Sequence, residues 1–205
     1  MAERSTRKRI LEAALELFAR RGFAGTSVGE IEAAAGLSPR AGGLYKHFRS
    51  KEDLLEAAFA ERIAEIEAFN ARFELTPLGD TRAELTLASR WALSELRRER
   101  ALVRIVMKEG ERLPGLALRF DEAIVQRGLR LAEGALRRYA EERGAEFEDL
   151  RAAAAATLAS IVGFNLQQTL FGDEFAEIDE ERFAIAWVEM TLALIEQLER
   201  RKADV

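Results

Sequence analysis

The sequence contains no cysteine, and its 205 residues include a single histidine, His47. Without thiols the chain forms neither disulfide bonds nor thiolate metal sites, and one histidine alone does not build a metal centre. A glycine-rich loop leading from a strand into a helix, which would cradle a phosphate, is also lacking. We therefore predict a protein that is not an enzyme and that has no metal and no cofactor.

Runs of alternating apolar and polar residues, the pattern of a half-buried β-strand, are lacking as well. Apolar residues instead recur at helical spacing along the chain, so we predict an all-α fold. The first ten residues are charged and lead directly into a helix, without the apolar segment typical of an export signal. We therefore expect a cytoplasmic protein.

The stretch at residues 152–172 has no charged residue and raises the question of a membrane span. Its 21 residues reach the length of a transmembrane helix. Its composition argues against lipid, because it contains a run of five alanines together with Asn165, Gln167 and Gln168. Burial against other helices is the favoured interpretation.

The formal net charge of −5 conceals an uneven distribution. Residues 1–51 hold ten lysines and arginines against five acidic residues, whereas the remainder has a net charge of −10. A basic segment joined to an acidic remainder fits a polyanion-binding module, although a solvated charged surface on an ordinary helical protein is the alternative. The motifs in the same segment favour the polyanion-binding module.

Two capping signatures mark helix starts in the basic segment. Ser27 and Glu30 have the spacing at which a serine hydroxyl and a carboxylate satisfy each other's backbone N–H groups, and Ser50 with Asp53 repeats the signature. Gly36 stands where a helix end favours a residue that tolerates positive φ. A short helix therefore ends at Gly36, and a longer one begins near Ser50.

Between these signatures the chain turns and starts a further helix. Ser38 and Pro39 are typical of the N-cap and the first helical position, and we predict this helix over residues 39–47. Together with helices over residues 6–21 and 28–35, it forms a three-helix head with a helix-turn-helix.

The rest of the chain is also predicted to be helical. We expect helices over residues 51–73, 81–98, 101–109, 116–143, 147–171 and 179–202. Thr81 and Glu84 have the spacing of another capping box.

An ordered string of short motifs occupies roughly residues 6–60. The string comprises Gly22-Phe23, Thr26-Ser27-Val28, Ile31, Ala34-Ala35-Gly36-Leu37-Ser38, Leu44-Tyr45-x-His47-Phe48 and Ser50-Lys51-Glu52-x-Leu54-Leu55. It resembles the DNA-binding region of TetR-family (tetracycline-repressor-like) transcriptional regulators. One departure is the segment from Pro39 to Gly43, which is about two residues longer than the family's usual spacing. The resemblance implies a helix-turn-helix DNA-binding domain over residues 1–50 and a helical ligand-binding and dimerisation domain over residues 51–205.

The resemblance and the side-chain chemistry together predict which residues bind DNA. Hydroxyls at a helix start and lysines meet phosphates, Arg40 can make two hydrogen bonds to one guanine, and adjacent glycines let the backbone approach DNA. The predicted set is Thr26, Ser27, Ser38, Arg40, Gly42, Gly43, Tyr45, Lys46, His47 and Lys51. For the two glycines a distorted or late-starting helix is the alternative, and for His47 packing is the alternative.

The last two predicted helices carry apolar residues on several faces. Such helices need cover on several faces, more than the outer helices of a small monomer usually find. Ala159 and Gly163 lie one turn apart and allow a second helix to approach closely. We predict a homodimer through these two helices.

A ligand cavity among the middle helices is a further implication of the resemblance. The predicted lining is Phe69, Trp91, Met107, Phe120, Asn165 and Gln168. Each apolar member taken alone is better explained as core, and the two amides need partners, which a ligand, a second subunit or the protein itself could supply. The lining predicts a small apolar or aromatic inducer.

Three functions remain open from the sequence. The favoured one is a ligand-responsive repressor that binds a palindromic DNA operator as a dimer. The alternative is a dimeric DNA-binding regulator that is controlled by a protein partner or has no small-molecule inducer. A helical enzyme with an incidental helix-turn-helix is the least favoured.

Overall fold

The structure, a computed structural model, describes residues 2–39, 42–70, 78–144, 146–172 and 177–203. Every regular element in these residues is helical, which confirms the predicted all-α fold. The helices are α1 (Ala2–Arg21), α2 (Val28–Ala34), α3 (Lys51–Asn70), α4 (Thr81–Arg98), α5 (Arg100–Glu109), α6 (Pro114–Phe120), α7 (Gln126–Glu142), α8 (Leu150–Phe171) and α9 (Glu180–Ala203). A 3₁₀ turn (Leu44–Lys46) and a π-helical segment (Asp121–Val125) complete the described elements.

The capping box of α2 forms as the sequence predicts. The backbone N–H of Glu30 donates to the Ser27 hydroxyl, and the Glu30 carboxylate accepts from the Ser27 N–H at 2.8 Å. These bonds satisfy N–H groups that have no partner inside the helix. The Glu30 carboxylate accepts from both the N–H and the hydroxyl of Ser27, and these bonds, with the nearby Arg21 guanidinium, hold the pKa of Glu30 below its ordinary value.

The capping box predicted for α4 is wrong in its details. Asp80, not Thr81, caps the helix, accepting from the Ala83 N–H at 3.1 Å. The Glu84 carboxylate turns back further and accepts from the N–H groups of Leu78 at 2.7 Å and Gly79 at 3.2 Å. The helix still begins at Thr81, because a carboxylate one residue earlier performs the capping.

The predicted helix over residues 116–143 is divided in the structure. Pro114 begins α6, and the π-helical segment then separates α6 from α7. A π-helical turn inserts one extra residue into the hydrogen-bond ladder, which periodicity alone does not reveal.

The described residues form two compact units, each built from two separate stretches of chain. The first unit comprises residues 1–73 and 99–123, and the second comprises residues 74–98 and 124–205. These units are defined by packing. The predicted division at residue 50 is a division by function and stays a prediction.

The first unit has its core where α1 packs against α3 and α5. Ile10 and Phe18 of α1, Phe59 of α3, and Leu102 and Ile105 of α5 are fully buried. This packing ties the N-terminal helices to a stretch of chain that lies about 80 residues further on. The α1–α3–α5 core therefore holds α1, against which α2 also packs.

The second unit is a bundle of α4, α7, α8 and α9. Its core includes Leu93, Leu136, Ile161, Trp187 and Ile195, all buried. Ion pairs on the surface join α4 to α9 in antiparallel register. They are Arg82–Glu189, Arg90–Glu181 and Arg97–Glu180. Exposed pairs add little free energy, so apolar burial provides most of this unit's stability.

The uncharged stretch lies within α8, and one face of it is buried in the bundle. Among the helices of the described residues, none is long and apolar enough to cross a membrane.

Candidate nucleic-acid interface

The turn between α1 and α2 is held from inside the protein by Thr26. Its side chain is buried, and its hydroxyl donates to the carbonyl oxygen of Gly22 at 2.8 Å, with that of Leu17 at 3.2 Å. Ser27 lies at the surface, and its hydroxyl bonds to Glu30. The Thr26 hydroxyl thus fixes the turn that presents the start of α2, and Ser27 is the exposed hydroxyl of the pair.

Lys51 is directed into the same turn. Its ammonium donates to the carbonyl oxygens of Phe23 at 2.8 Å and Thr26 at 2.9 Å, and it lies 4.1 Å from the centre of the Phe23 ring. A lysine bound in this way joins the N-terminus of α3 to the turn. In the described geometry Lys51 therefore supports the backbone of the predicted interface from within.

The segment predicted to read the DNA bases is not an α-helix over residues 39–47. Its described part is a turn at Pro39, Gly42 with a φ of +70°, and the 3₁₀ turn that begins at Leu44. Positive φ interrupts a right-handed helix, and glycine adopts it without steric cost. The distorted, late-starting helix that the adjacent glycines had suggested as an alternative is the observed conformation.

The 3₁₀ turn presents two side chains to solvent. Leu44 is fully buried and anchors the turn, while Tyr45 is 57% exposed and Lys46 is exposed. Ser38 is exposed, and His47 is half-buried with its ring 6.4 Å from that of Phe48. Arg40 lies outside the described residues. A tyrosine hydroxyl and a lysine ammonium beside one another are suited to bind phosphate oxygens.

Models of known protein families match both halves of the chain. The model described as "Bacterial regulatory proteins, tetR family" matches residues 10–58. The model described as "AefR-like transcriptional repressor, C-terminal domain" matches residues 91–194, about half of the chain. The chain belongs to the TetR family. Both model descriptions name regulatory proteins, which confirms the predicted family.

Individual TetR-family proteins are similar over different shares of the chain. The HTH-type transcriptional regulator AcrR of Shigella flexneri is 36% identical over 110 residues, which are 52% of this chain and 50% of AcrR. The chain thus spans about half the length of the curated relatives it matches. Among solved structures, GusR of Salmonella enterica is 28% identical with a TM-score of 0.63, covering 93% of this chain and 95% of GusR. The flavonoid-responsive regulator FrrA is 28% identical with a TM-score of 0.64, covering 94% and 95%.

Contacts from α5 and the turn after it brace the DNA-binding head of this TetR-family regulator. The Glu109 carboxylate accepts from the Phe23 N–H at 2.8 Å, in a buried bond. Lys108 donates to the carbonyl oxygens of Ala19 at 2.9 Å and Arg20 at 2.8 Å, which lie at the C-terminal end of α1. These carbonyls have no partner inside their helix, so a cation there is favourable.

Arg112 adds a third contact to this group. Its guanidinium carbon lies 4.2 Å from the centre of the Phe23 ring. We call Lys108, Glu109 and Arg112 the α5 clasp. No local pattern in the sequence indicates it, because the partners are more than 80 residues apart.

The residues predicted to line a ligand cavity are divided between the two units. Met107 is exposed and Phe120 is half-buried in the first unit, while Trp91 is half-buried in the second. Asn165 and Gln168 lie on the buried face of α8 in the second unit. The side chain of Phe69 lies outside the described residues.

Asn165 is distinctive among the buried polar residues of the second unit. It is 2% exposed, and its amide nitrogen has no hydrogen-bond partner among the described residues. Thr157, Thr169 and Thr191 are also buried, but their hydroxyls donate to carbonyl oxygens of their own helices. An unpaired buried amide is costly, and each such group in a native protein calls for an explanation.

The two last helices expose apolar side chains that would be unfavourable in water. Phe171 is 71% exposed, and Leu170, Ile185 and Met190 are all more than half exposed. Gly163 lies on α8 with no atom of another residue within 4 Å of where a side chain would begin. Both helices therefore have apolar surface available for a further contact.

Proposed function

We propose that this TetR-family regulator is a ligand-responsive repressor that binds a (pseudo)palindromic DNA operator as a homodimer in the cytoplasm. The observation that carries the DNA-binding part is the pair of exposed side chains on the 3₁₀ turn, Tyr45 and Lys46, on a segment with an excess of five positive charges. Such a surface attracts the phosphate backbone and positions the head on the duplex.

The proposed interface keeps the whole predicted DNA-binding set, with roles adjusted to the observed geometry. Ser27, Ser38, Tyr45, Lys46 and His47 provide polar contacts from the surface. Arg40 is proposed to read a base, and the adjacent glycines to allow close approach of the backbone. Thr26 and Lys51 are proposed to act by fixing the turn before α2.

The exposed apolar side chains of α8 and α9 support the homodimer. A two-fold interface buries the same patch of both subunits, so exposed Phe171 and Ile185 would gain cover in both at once. A dimer would also present two heads to DNA, which requires half-sites separated by about one helical turn, roughly 34–36 Å, or a longer distance.

The unpaired amide of Asn165 supports a small-molecule inducer. A ligand with a carbonyl or hydroxyl oxygen would give this nitrogen the acceptor that it lacks among the described residues. The flavonoid-responsive relative FrrA supports an aromatic ligand class. A ligand that binds one state of the dimer better than the other shifts the population toward that state.

A regulator without an inducer is the second candidate function. The observation that favours it is the distribution of the six predicted ligand residues over two compact units. Asn165 would then satisfy its amide against the second subunit, and a protein partner or the protein's own concentration would control DNA binding.

Two measurements on the intact protein test these proposals in order. Selection from a pool of random DNA duplexes should enrich one two-fold symmetric sequence, and enrichment of no sequence would reject the operator. Aromatic ligands found by thermal shift are then titrated with and without the selected duplex. Operator and inducer should weaken each other's binding by the same factor, as linkage requires. Equal ligand affinity in both titrations would leave the second candidate.

A further inference from the structure

Helix α2 buries a carboxylate and exposes alanines. Glu32 is 0% exposed, whereas the next two residues, Ala33 and Ala34, are exposed. Apolar burial alone would favour the opposite orientation, because acidic side chains are almost never fully buried unless they are paired. The orientation of α2 therefore reflects what the Glu32 carboxylate binds.

The Glu32 carboxylate binds the start of the 3₁₀ turn. Its Oε1 atom accepts a buried hydrogen bond from the Leu44 N–H at 3.0 Å. The backbone carbonyl of the same residue accepts from the Leu37 N–H at 2.8 Å, in the turn that follows α2. Glu32 thus fixes both ends of the connection between α2 and the 3₁₀ turn.

The two glycines allow this arrangement. Gly42, at a φ of +70°, redirects the chain immediately before the 3₁₀ turn. A side chain at Gly43 would begin 3.4 Å from Leu37 and 3.8 Å from Glu32 Oε1, so the segment closes tightly over the carboxylate. Gly43 has no side chain with which to cap the 3₁₀ turn, and the cap comes instead from α2.

We propose that Glu32 is a positioning residue for DNA recognition. In a regular helix-turn-helix the second helix fixes its DNA-contacting side chains through its own backbone hydrogen bonds. Here the short turn is closed by bonds from the His47 and Phe48 N–H groups to the Leu44 carbonyl. The bond from the Leu44 N–H to Glu32 anchors that turn to α2, directly before Tyr45 and Lys46. The proposal rests on the DNA-binding function proposed above. It adds a residue that acts on recognition without touching DNA.

Three variants of the full-length protein test this role. Glu32→Ala removes the acceptor, Glu32→Gln retains an amide oxygen in its place, and Glu56→Ala removes one negative charge from an exposed site on α3. The measured quantity is the ratio of affinities for the selected operator and for random duplex DNA. We expect Glu32→Ala to lower this ratio at least about tenfold, the equivalent of one buried hydrogen bond to a charged group. Glu32→Gln should lower it less than about threefold, and Glu56→Ala should leave it unchanged.

Backbone amide exchange supplies a readout that does not depend on DNA. The Leu44 amide should exchange at least about tenfold faster in Glu32→Ala than in the wild type, while the Leu54 amide, bonded to the Ser50 carbonyl at the start of α3, keeps its rate. A wild-type affinity ratio in Glu32→Ala, or equal losses in both Glu32 variants, would overturn the proposal. Loss of protection at both amides would show a general structural role and would overturn it as well. If the wild-type protein binds operator and random DNA equally well, the proposed DNA-binding function is rejected, and the role of Glu32 is rejected with it. The wild-type measurement therefore distinguishes the two failures.

Discussion

The two compact units satisfy their buried polar groups in opposite ways. In the first unit, carboxylates bridge distant elements: Glu32 binds Leu44, Glu109 binds Phe23, and Glu99 accepts from the Arg62 guanidinium at 2.9 Å. In the second unit, the buried threonines bond to their own helices and one amide has no partner among the described residues.

This difference has a physical consequence. A hydrogen bond between elements fixes their relative position, because its strength falls steeply with distance and angle. A bond within one helix fixes nothing outside that helix, and apolar packing then determines how the helices sit together. The first unit is therefore fixed geometrically by carboxylates at three places. In the second unit apolar packing carries more of the arrangement, helped by one buried bond from Trp187 Nε1 to the Thr157 carbonyl and by the bonds of Glu84.

The largest change in stability is expected in the first unit, when the α5 clasp loses Glu109. Glu109→Ala leaves the buried Phe23 N–H without an acceptor, and we expect the free energy of unfolding to fall by about 2–3 kcal/mol. Urea denaturation measures the change. Glu111→Ala, at an exposed site two residues away, should change it by less than about 0.5 kcal/mol. Equal effects of the two variants would show that the clasp does not stabilise the head.

In the second unit, the strongest disruption is expected at the proposed dimer surface. Gly163→Leu places a bulky side chain where the structure leaves open space, and we expect monomers on size-exclusion chromatography at the concentration at which the wild type is a dimer. Gly134→Leu, at an exposed glycine of α7 with equally open surroundings, is the control and should remain dimeric. A dimeric Gly163→Leu variant would place the interface elsewhere.

One partly buried carboxylate in the second unit, Glu84, also bridges elements, and the pH dependence of its contribution to stability sharpens the comparison. Burial opposes the charge of Glu84, but bonds from the Leu78 N–H, Tyr139 and Arg138 outweigh it and lower the pKa of Glu84 from 4.5. Burial and the bond to Glu84 raise the pKa of Tyr139 to about 12.

The lowered pKa determines the sign of the pH dependence. A carboxyl that is more acidic when folded stabilises the protein above its unfolded pKa, and this contribution is lost as the pH falls through the folded pKa. We therefore expect Glu84→Gln to cost about 2 kcal/mol at pH 7 and to show a smaller loss of stability than the wild type between pH 5 and pH 3. Unfolding at several pH values measures this, with exposed Glu141→Gln as the control. If the free energy of unfolding changes with pH in the same way in the wild type and both variants, Glu84 does not contribute to the pH dependence.

A smaller effect is expected for Lys46 and Lys51, whose substitutions should differ in how DNA affinity depends on salt. Lys46→Ala removes an exposed cation and should lower the slope of log affinity against log salt by about 0.9. Lys51→Ala removes bonds to the Phe23 and Thr26 carbonyls, so it should reduce stability without an equal change in the salt slope. A full loss of slope in Lys51→Ala would show that Lys51 leaves the turn and meets a phosphate.

The smallest effect on stability is expected at the unpaired amide. Asn165→Leu removes a buried group that lacks a partner among the described residues, so the free energy of unfolding should stay the same or rise by up to about 1 kcal/mol. Thr169→Val, four residues along the same face, removes a hydroxyl that bonds to the Asn165 carbonyl at 2.8 Å and should be mildly destabilising. A clear loss of stability in Asn165→Leu would favour a structural role over inducer binding.

Local signals predicted the family and most helices, but not the 3₁₀ turn in residues 42–47 or the division of residues 114–142. The capping box of Ser27 and Glu30 formed as its spacing required, and α4 runs over Thr81–Arg98, the predicted range. Such features depend on residues within one or two turns of each other, which the sequence displays directly. The DNA-binding and ligand-binding residue sets remain predictions.

The features that the sequence did not reveal depend on distant partners or on glycine conformation. No local pattern marks Glu32, because its partner Leu44 lies 12 residues further on and follows Gly42, whose φ is positive. Glu109 lies 86 residues from Phe23, and nothing near either residue indicates the other. Contacts of this kind follow from packing, which single-sequence periodicity does not encode.

The interleaved assembly of the two units determines when the chain can fold during synthesis. A ribosome adds residues from the N-terminus at about 5–20 per second, and domains generally fold as they emerge. Here the helix-turn-helix leaves the ribosome early, but its unit is complete only when residues 99–123 have followed. Until α5 has been synthesised, the Phe23 N–H lacks its acceptor, the Glu109 carboxylate, and the core of the first unit is incomplete. For several seconds the basic segment is therefore without the buried hydrogen bond that Glu109 supplies.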